Sequence, residues 1–431
     1  MLIDKIFGKK IMRIKSLYLI FIFCSFISLH SQPRQIPFFS ETNVIPADSG
    51  FVINYSFRIP YNSLVFEKSS DVYEAAYQIN VEVFNEDSIF ITRQIKQKKI
   101  STDDFDKSVD NFTFDQDVIS LFIHQRKFKL RAVLTDVNSR REFPLKTPQA
   151  GSSTKEENIF INPIIINTAK TECTGEDVYQ LSNYNGFIPF NKESYSLLVP
   201  VNDTSIQQIN YLILNNRDTV LNSSSREFIL SSLKLFDCDN KIILKHTADG
   251  KNKVFIVNDI SSKLFEGDVV FKINYYPGEQ KPIDFIYKSL WIDKPASLSD
   301  PEDAISFLKI IESEDSVKSL LANDGNDYQK VLNDYWRKFD PTPNTAYNEI
   351  MAEYYSRVDY ALLSFSTISG KNGVSTDRGK VFIKFGRPQK IERVSNDAGN
   401  IIETWKYEKP DKIYSFIDRM GTGDFQLLNE E

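Results

Sequence analysis

An alternation of apolar and polar residues over residues 50–292 constrains the fold of this chain more than any other feature of its sequence. The run Phe51–Ile59 places an apolar residue at every second position, and Tyr77–Val83 and Phe128–Leu134 repeat that pattern. A period of two residues is typical of a strand that has one face in the core and the other in water. The alternation therefore predicts a mainly β protein.

Strands at this spacing, separated by short turns, predict two antiparallel, immunoglobulin-like β-sandwich domains. We expect the first at residues 32–148 and the second at residues 152–293, joined by the linker Pro148–Glu157. In the second domain, strands are predicted at 158–167, 195–202, 208–215, 241–246, 253–257, 268–276 and 284–292. The length of 431 residues agrees with a multi-domain protein, since it exceeds what one hydrophobic core usually holds.

After residues 295–301 the apolar period changes from two to about 3.6 residues, which is the period of a helix. Asp300 is placed to cap a helix that has Pro301 at its first position. A second helix is predicted over Asp327–Lys338 and a third from about Asn344. Short strands are then predicted at Val381–Phe385, Lys390–Val394, Ile402–Tyr407 and Ile413–Ile417. Residues 300–431 thus predict an α+β domain with helices packed on an antiparallel meander.

The first 31 residues have the parts of a cleavable secretory signal peptide, because basic residues precede an apolar run at Leu17–Leu29 and Ser31 follows it. The run is too short to span a bilayer as a helix, so a membrane anchor is the weaker alternative. Met12 is the expected start, and lipidation at Cys24 is disfavoured because Phe21–Phe23 precedes it. We expect export to the periplasm, the outer membrane or the cell surface, cleavage near Ser31, and no transmembrane segment in the mature chain.

Cleavage at that position leaves two cysteines, Cys173 and Cys238. In an oxidising compartment they can form a disulfide, which for a loop of about 65 residues contributes roughly 4 kcal/mol in the chain-entropy model. They can equally remain two separate buried thiols, and the sequence leaves both alternatives open. The chain has no CxxC motif and no Cys/His cluster, so no metal site is predicted.

The composition argues against several classes of function. The net charge is −6 and no long basic face follows the leader, which argues against nucleic-acid binding. After the leader the histidines are His124 and His246, so a Ser/His/Asp or Cys/His triad is excluded from the C-terminal domain. No Walker A, HExxH or dinucleotide-binding motif occurs, so no cofactor is predicted.

Several C-terminal stretches together resemble one known family. They are Tyr335–Pro343, Asn348-Glu349, Tyr354–Val358, Thr376–Pro388, Glu403–Tyr407, Phe416–Arg419 and Gly423–Phe425. In this order, over about residues 300–428, they resemble the GWxTD domain, a family of exported proteins common in Bacteroidetes-like bacteria. The resemblance implies export and brings no established activity with it.

The naming motif is degenerate, because Gly373-Val374-Ser375-Thr376-Asp377 has a valine where the family has tryptophan. If the indole normally anchors the loop, Val374 leaves the loop less fixed. If the indole normally stacks on a ligand, this chain lacks that contact.

The charged and aromatic residues of these stretches are the candidate binding residues: Asp377, Arg378, Arg387, Glu403, Trp405, Asp418, Arg419 and Asp424. One interpretation places them in a polar cleft at one end of the meander, where the arginines hold a carboxylate or a phosphate. The favoured interpretation is structural: the charges pair with one another and satisfy loop backbone groups. Trp405 is expected in the core rather than as a platform that stacks on a sugar.

The functional hypothesis is a non-enzymatic envelope protein that presents its C-terminal domain to a protein or glycan partner, with no catalytic residues and no cofactor. The alternative is a hydrolase that acts on envelope glycan or peptide through acidic residues such as Glu403 and Asp418. A third hypothesis is a periplasmic domain of a secretion or outer-membrane assembly complex. The oligomeric state is left open.

Overall fold

The computed structural model describes residues 38–430 apart from 48, 111–112, 126, 146, 148–151, 154–159, 162, 171–176, 183–185, 278–280 and 323–326. The predicted signal peptide, Cys24 and Cys173 lie outside the described residues, as does most of the predicted linker. Among the described residues, no helix is both long enough and apolar enough to cross a membrane.

The N-terminal part forms two facing sheets. Its elements are β1 Phe39–Ala47, β2 Gly50–Pro60, β3 Glu67–Ser69, β4 Val72–Phe84, β5 Phe90–Thr102, α1 Phe105–Ser108, β6 Phe114–Ile123, β7 Lys129–Asp136 and β8 Glu142–Leu145. The first sheet has the order β1-β2-β6, and the second has the order β3-β4-β7-β8 with β5 also paired to β4. Ile53, Tyr55 and Phe57 of β2 are buried against Tyr77 and Ile79 of β4.

The middle part forms two further sheets. Its strands are β9 Ser152–Ser153, β10 Phe160–Ile161, β11 Ile164–Lys170, β12 Asp177–Leu181, β13 Phe187–Pro189, β14 Ser196–Val201, β15 Gln208–Asn215, β16 Asp218–Ser225, β17 Phe228–Cys238, β18 Lys241–Val257, β19 Gly267–Tyr276 and β20 Ile283–Leu290. The third sheet has the order β17-β18-β12-β11-β14-β10-β9, and the fourth has the order β13-β20-β19-β15-β16. Val199 and Phe255 of the third sheet share a core with Val269 and Phe271 of the fourth.

The mainly β prediction is confirmed, and two of its details in the middle part of the chain are wrong. The strands predicted separately at 241–246 and 253–257 are one strand, β18, because β17 pairs along nearly its whole length across a bulge. Among the described strand pairs, β13 with β20 is parallel and the others are antiparallel.

The first sheet is buried on both faces, so the prediction of a half-exposed strand at β2 is wrong. Ile45 and Val118 on its outer face pack against the third sheet. Ser56 pairs with Val118 across the strands and therefore lies on that same face, where it is fully buried. Asn240, in the turn between β17 and β18, donates a hydrogen bond to the carbonyl of Phe114 (2.8 Å), and Asn252 of β18 donates one to the carbonyl of Pro46 (2.6 Å). The four sheets therefore stack as layers, in the order second, first, third, fourth.

The C-terminal part combines helices with a fifth sheet. Its elements are α2 Pro301–Phe307, α3 Glu314–Leu321, α4 Tyr328–Trp336, α5 Glu349–Ser364, α6 Asp377–Phe385, β21 Lys390–Ser395, β22 Ile401–Glu408, β23 Asp411–Asp418 and β24 Gln426–Glu430. The sheet order follows the chain, β21-β22-β23-β24. Tyr355 and Val358 of α5 share one core with Trp405 and Phe416 of the sheet. Helices thus pack on an antiparallel meander.

The predicted cap of α2 is confirmed, because the Asp300 carboxylate accepts hydrogen bonds from the backbone of Glu302 (2.8 Å) and Asp303 (3.2 Å). The strand predicted at Val381–Phe385 is wrong, because these residues complete helix α6. Thr376 caps the first turn of that helix, and hydrogen bonding to the cap commits the residues after it to helical geometry.

Candidate functional site

The Gly373–Asp377 segment packs against helix α5 and begins helix α6. A Cβ atom on Gly373 would lie 1.9 Å from the carbonyl oxygen of Ala361, so only glycine fits there. Thr376 Oγ1 accepts a hydrogen bond from the Gly379 N–H at 3.0 Å and donates one to the Gly373 carbonyl at 2.7 Å. The glycine-to-threonine spacing is therefore explained by a tight turn that caps a helix.

Val374, at the position of the motif tryptophan, is 1 % exposed and belongs to the C-terminal core. A side chain at this position contacts the protein interior and not solvent. In this chain Val374 therefore packs the loop onto the core, and the two interpretations of the motif tryptophan stay predictions.

Glu403 is the centre of a buried network beside this loop. Its Oε1 accepts hydrogen bonds from Trp405 Nε1 at 2.7 Å and from Arg378 Nη1 at 3.5 Å, and its Oε2 accepts one from Arg393 Nε at 2.5 Å. Burial of a carboxylate is tolerated when such donors replace its water shell. Both oxygens of Glu403 are thus already engaged by protein donors.

Arg378, the cationic partner in this network, is held on several sides. Its guanidinium lies 4.0 Å from the ring centroid of Phe425, and its Nη2 donates to the Gly423 carbonyl at 3.2 Å. Burial lowers the pKa of Arg378, and the nearby Glu403 carboxylate acts in the opposite direction. The Arg378 guanidinium therefore fixes the loop after β23 and is not directed toward solvent.

Asp418 holds the turn that connects β23 to β24. Its Oδ1 accepts hydrogen bonds from the backbone N–H groups of Met420 (3.2 Å) and Thr422 (3.3 Å), and its Oδ2 accepts one from Gly423 (2.8 Å). Burial by itself raises the pKa of Asp418, but these backbone donors together hold it below its ordinary value. The ionised carboxylate is the form that the turn stabilises.

The other candidate charges lie around this network without converging on a cavity. Asp377 Oδ2 accepts a hydrogen bond from the Leu427 N–H at 2.9 Å, and Asp424 forms an ion pair of 3.1 Å with Lys371. Arg419 donates to the side chain of Gln426 at 2.9 Å. Arg387 is exposed and differs from the rest, because its side chain forms neither a hydrogen bond nor an ion pair with any residue that the structure describes.

The structure therefore brings Arg378, Glu403 and Trp405 together, and it places Asp418 at the neighbouring turn. Their geometry matches the structural interpretation of the charged residues: the side chains fix turns, a helix start and a sheet edge. Trp405 is buried in the core, as predicted.

A concave site lies elsewhere, at the junction of the middle and C-terminal parts. It is a cleft of about 440 Å³. It is lined by Phe190, Phe265, Glu266, Trp291, Lys294, Leu298, Gln329, Asn333, Trp336, Arg337, Asp340, Pro343, Thr345, Ala346, Asn348 and Met351. Its volume falls in the range of small-molecule and peptide side-chain sites, and its lining mixes aromatic and polar groups as such sites do.

Aromatic rings form the wall of the cleft. The centroid of Trp291 lies 5.6 Å from that of Phe190, and both rings lie against Tyr347, at 5.2 and 5.3 Å. Burial raises the pKa of the Tyr347 phenol to about 12, so this ring stays neutral. The backbone N–H of Ala346 donates to the Ser262 carbonyl at 2.7 Å, which joins the two parts of the chain.

Charged pairs form the rim of the cleft, and a buried amide belongs to its lining. Lys294 pairs with Glu266 at 2.8 Å, and Arg337 pairs with Asp334 at 2.7 Å. Asn348 caps helix α5 through Met351 and also donates to the carbonyl of Trp336 at 3.0 Å, so its side chain is fixed. The rim offers both charges and hydrogen-bonding groups to a bound molecule.

Sequence reasoning missed this cleft as a site. Trp336, Pro343 and Asn348 stand in the stretches that carry the family resemblance, and this was the available signal. The resemblance does not indicate that Phe190 and Trp291, from the middle part of the chain, complete the wall.

Cys238 is buried at the end of β17 and is disulfide-bonded. The partner that we expect, Cys173, lies outside the described residues, so the pairing stays a prediction. In the part of the chain that the structure describes, no group of three or more His, Cys, Asp or Glu side chains is placed to hold a metal ion.

Comparison with known families finds a match in the C-terminal part of the chain. Residues 293–421 match the family model of the GWxTD domain, so the chain carries that domain in its C-terminal third. The match includes the capped Gly373–Asp377 turn, the Glu403 network and most of the cleft. A search of curated proteins found no match.

Proposed function

We propose that this GWxTD-domain protein is a non-enzymatic protein of the bacterial cell envelope, in which two immunoglobulin-like sandwiches carry the GWxTD domain. We infer that the cleft at the base of that domain binds a protein or glycan partner. Export through the predicted signal peptide, and cleavage near Ser31, belong to the same proposal. The observation that carries it is the cleft, a concave surface with an aromatic wall and a charged rim.

The surroundings of Glu403 and Asp418, the two acids named for the hydrolase alternative, favour a binding function over a catalytic one. A general acid or base must reach the substrate with a free proton-transfer site. Glu403 has both oxygens engaged by Trp405, Arg378 and Arg393. Asp418 accepts three backbone hydrogen bonds from its own turn. Neither group lines the cleft.

The proposal is tested by photo-crosslinking in envelope extracts. A photo-reactive amino acid replaces Phe265, which lines the cleft and is 58 % exposed. The crosslinked partner is identified, and its capture is measured again after Arg337→Glu. Lys318→Glu is the matched control, because both side chains are 72 % exposed and each pairs with an acidic residue on the preceding helical turn.

We expect Arg337→Glu to abolish the crosslink and Lys318→Glu to preserve it. Equal crosslinking in both variants, or recovery of the uncrosslinked chain alone, contradicts the proposal. Turnover of chromogenic glycosides or peptides that is lost in Glu403→Gln would instead support the hydrolase alternative.

A further inference from the structure

Strand β21 is an edge strand of the fifth sheet. It pairs with β22 on one side, and no described strand pairs with its other side. The backbone N–H of Asn396 donates to the Asn400 carbonyl at 3.0 Å, which sets the alternation of the ladder. In an antiparallel pair successive residues point their backbone groups alternately toward and away from the partner. The N–H and C=O groups of Ile391, Arg393 and Ser395 therefore point outward.

The opposite edge of the same sheet is protected. On β24, the outward N–H of Leu427 is bonded to the carboxylate of Asp377, at the start of helix α6. Natural sheets commonly block their edges in such ways, because free edge groups pair with other chains. The difference between the two edges singles out β21 as the one on which another strand can add.

The side chains of β21 specify what can bind there. Ile391 pairs across the strands with the buried Trp405, yet it is 50 % exposed, so apolar surface continues to the edge. Arg393 is 65 % exposed although it bonds Glu403, and Arg387 precedes the strand on the surface. The acid of this strand, Glu392, is already paired with Lys390 (2.6 Å) and Lys406 (3.2 Å).

We propose that the β21 edge binds an extended acidic peptide segment of a partner protein by β-strand addition. The segment's backbone pairs with Ile391, Arg393 and Ser395, and an apolar side chain of the segment covers Ile391. Its carboxylates face Arg387, Lys390 and Arg393, which gives the charge complementarity that selects an acidic sequence. This surface is separate from the cleft, so the inference stands apart from the proposed function.

The test uses a fluorescent octapeptide of two Val-Glu-Glu-Glu repeats, which places a valine and a glutamate two residues apart on one face, as Ile391 and Arg393 are. An octapeptide of two Val-Lys-Lys-Lys repeats is the comparison, and fluorescence anisotropy with the full chain measures binding. We expect the acidic peptide to bind at least about tenfold more tightly. Arg387→Glu should weaken its binding about fivefold, since one exposed ion pair is lost. Arg419→Glu, another exposed arginine of the domain, is the matched control and should leave the affinity unchanged.

Amide hydrogen exchange of the unmodified chain gives a second measurement that does not depend on a variant's folding. Addition of the acidic peptide should slow exchange at Ile391, Arg393 and Ser395. Equal affinity for the two peptides, equal weakening by both arginine variants, or unchanged exchange at these three amides would each overturn the inference. None of these outcomes involves the cleft residue Arg337.

Discussion

Replacement of Glu41 by glutamine is expected to stabilise the chain, by an amount that grows as the pH rises from 4.5 to about 7. Glu41 lies on β1, in the buried face of the first sheet, and its Oε2 accepts a hydrogen bond from the Gly186 N–H at 3.0 Å. Burial raises the pKa of Glu41 from the ordinary 4.5 to about 7, although the bond from Gly186 acts in the opposite direction. The folded chain therefore holds this proton more tightly than the unfolded chain does.

The sign of the effect follows from that difference. Below pH 4.5 the carboxyl is protonated in both states and costs nothing. Between 4.5 and about 7 the unfolded chain loses the proton first, so the free energy of unfolding falls as the pH rises. The full difference corresponds to about 3 kcal/mol, since a tenfold change in proton affinity is worth about 1.4 kcal/mol. Glutamine cannot ionise, and its carbonyl still accepts from Gly186.

Urea unfolding of the purified chain and of Glu41→Gln, measured from about pH 4 to about pH 8, checks this expectation. Far-UV circular dichroism follows the strands, while fluorescence of Trp291, Trp336 and Trp405 follows the C-terminal part and its junction. In the dichroism transition, the free energy of unfolding of Glu41→Gln should equal that of the parent chain near pH 4 and exceed it by about 3 kcal/mol near pH 8. A difference that does not change with pH, or a variant that is less stable at pH 8, would refute the reasoning.

Two further predictions concern the GWxTD domain. Thr376→Ala should lower the free energy of unfolding, measured by tryptophan fluorescence, by about 1 kcal/mol, because it removes the cap of α6. Thr376→Ser retains the hydroxyl and should be nearly as stable as the parent chain. Equal stability of all three chains would show that the cap is not needed. Glu403→Gln should cost about 2 kcal/mol in the same urea transition, because Arg378 and Arg393 lose their shared anion. The exposed Glu408→Gln is its control, and a Glu403→Gln chain as stable as that control would contradict the structural role given to the network.

The local signals in the sequence predicted the local structure well. Alternation identified β2, β4 and β7, and Asp300 identified the start of α2, because both patterns depend on neighbours a few residues away. The error at Val381–Phe385 has a local cause as well. Thr376 belongs to the naming motif and is also a residue type that caps helices, and the strand prediction does not include that second signal.

The candidate site was predicted less completely, for a reason that is not local. The residue types of the Glu403 network were selected correctly. Arg393, which binds Glu403 Oε2, was not selected, because strand register decides which charges meet. The cleft was missed because Phe190 and Trp336, about 150 residues apart in the chain, meet only when the middle and C-terminal parts pack together.

The sequence by itself determined the mainly β character of the chain, its change to helices near residue 300 and the GWxTD resemblance, because short-range periodicity and motif spacing carry that information. Only the tertiary structure decided that the polar face of β2 is buried. Alternation shows that a strand has two different faces, but it does not show whether the polar face meets water or another sheet. Here Asn240, in the turn between β17 and β18, and Asn252, on β18, donate hydrogen bonds to backbone carbonyls of the first sheet, more than a hundred residues away in the chain.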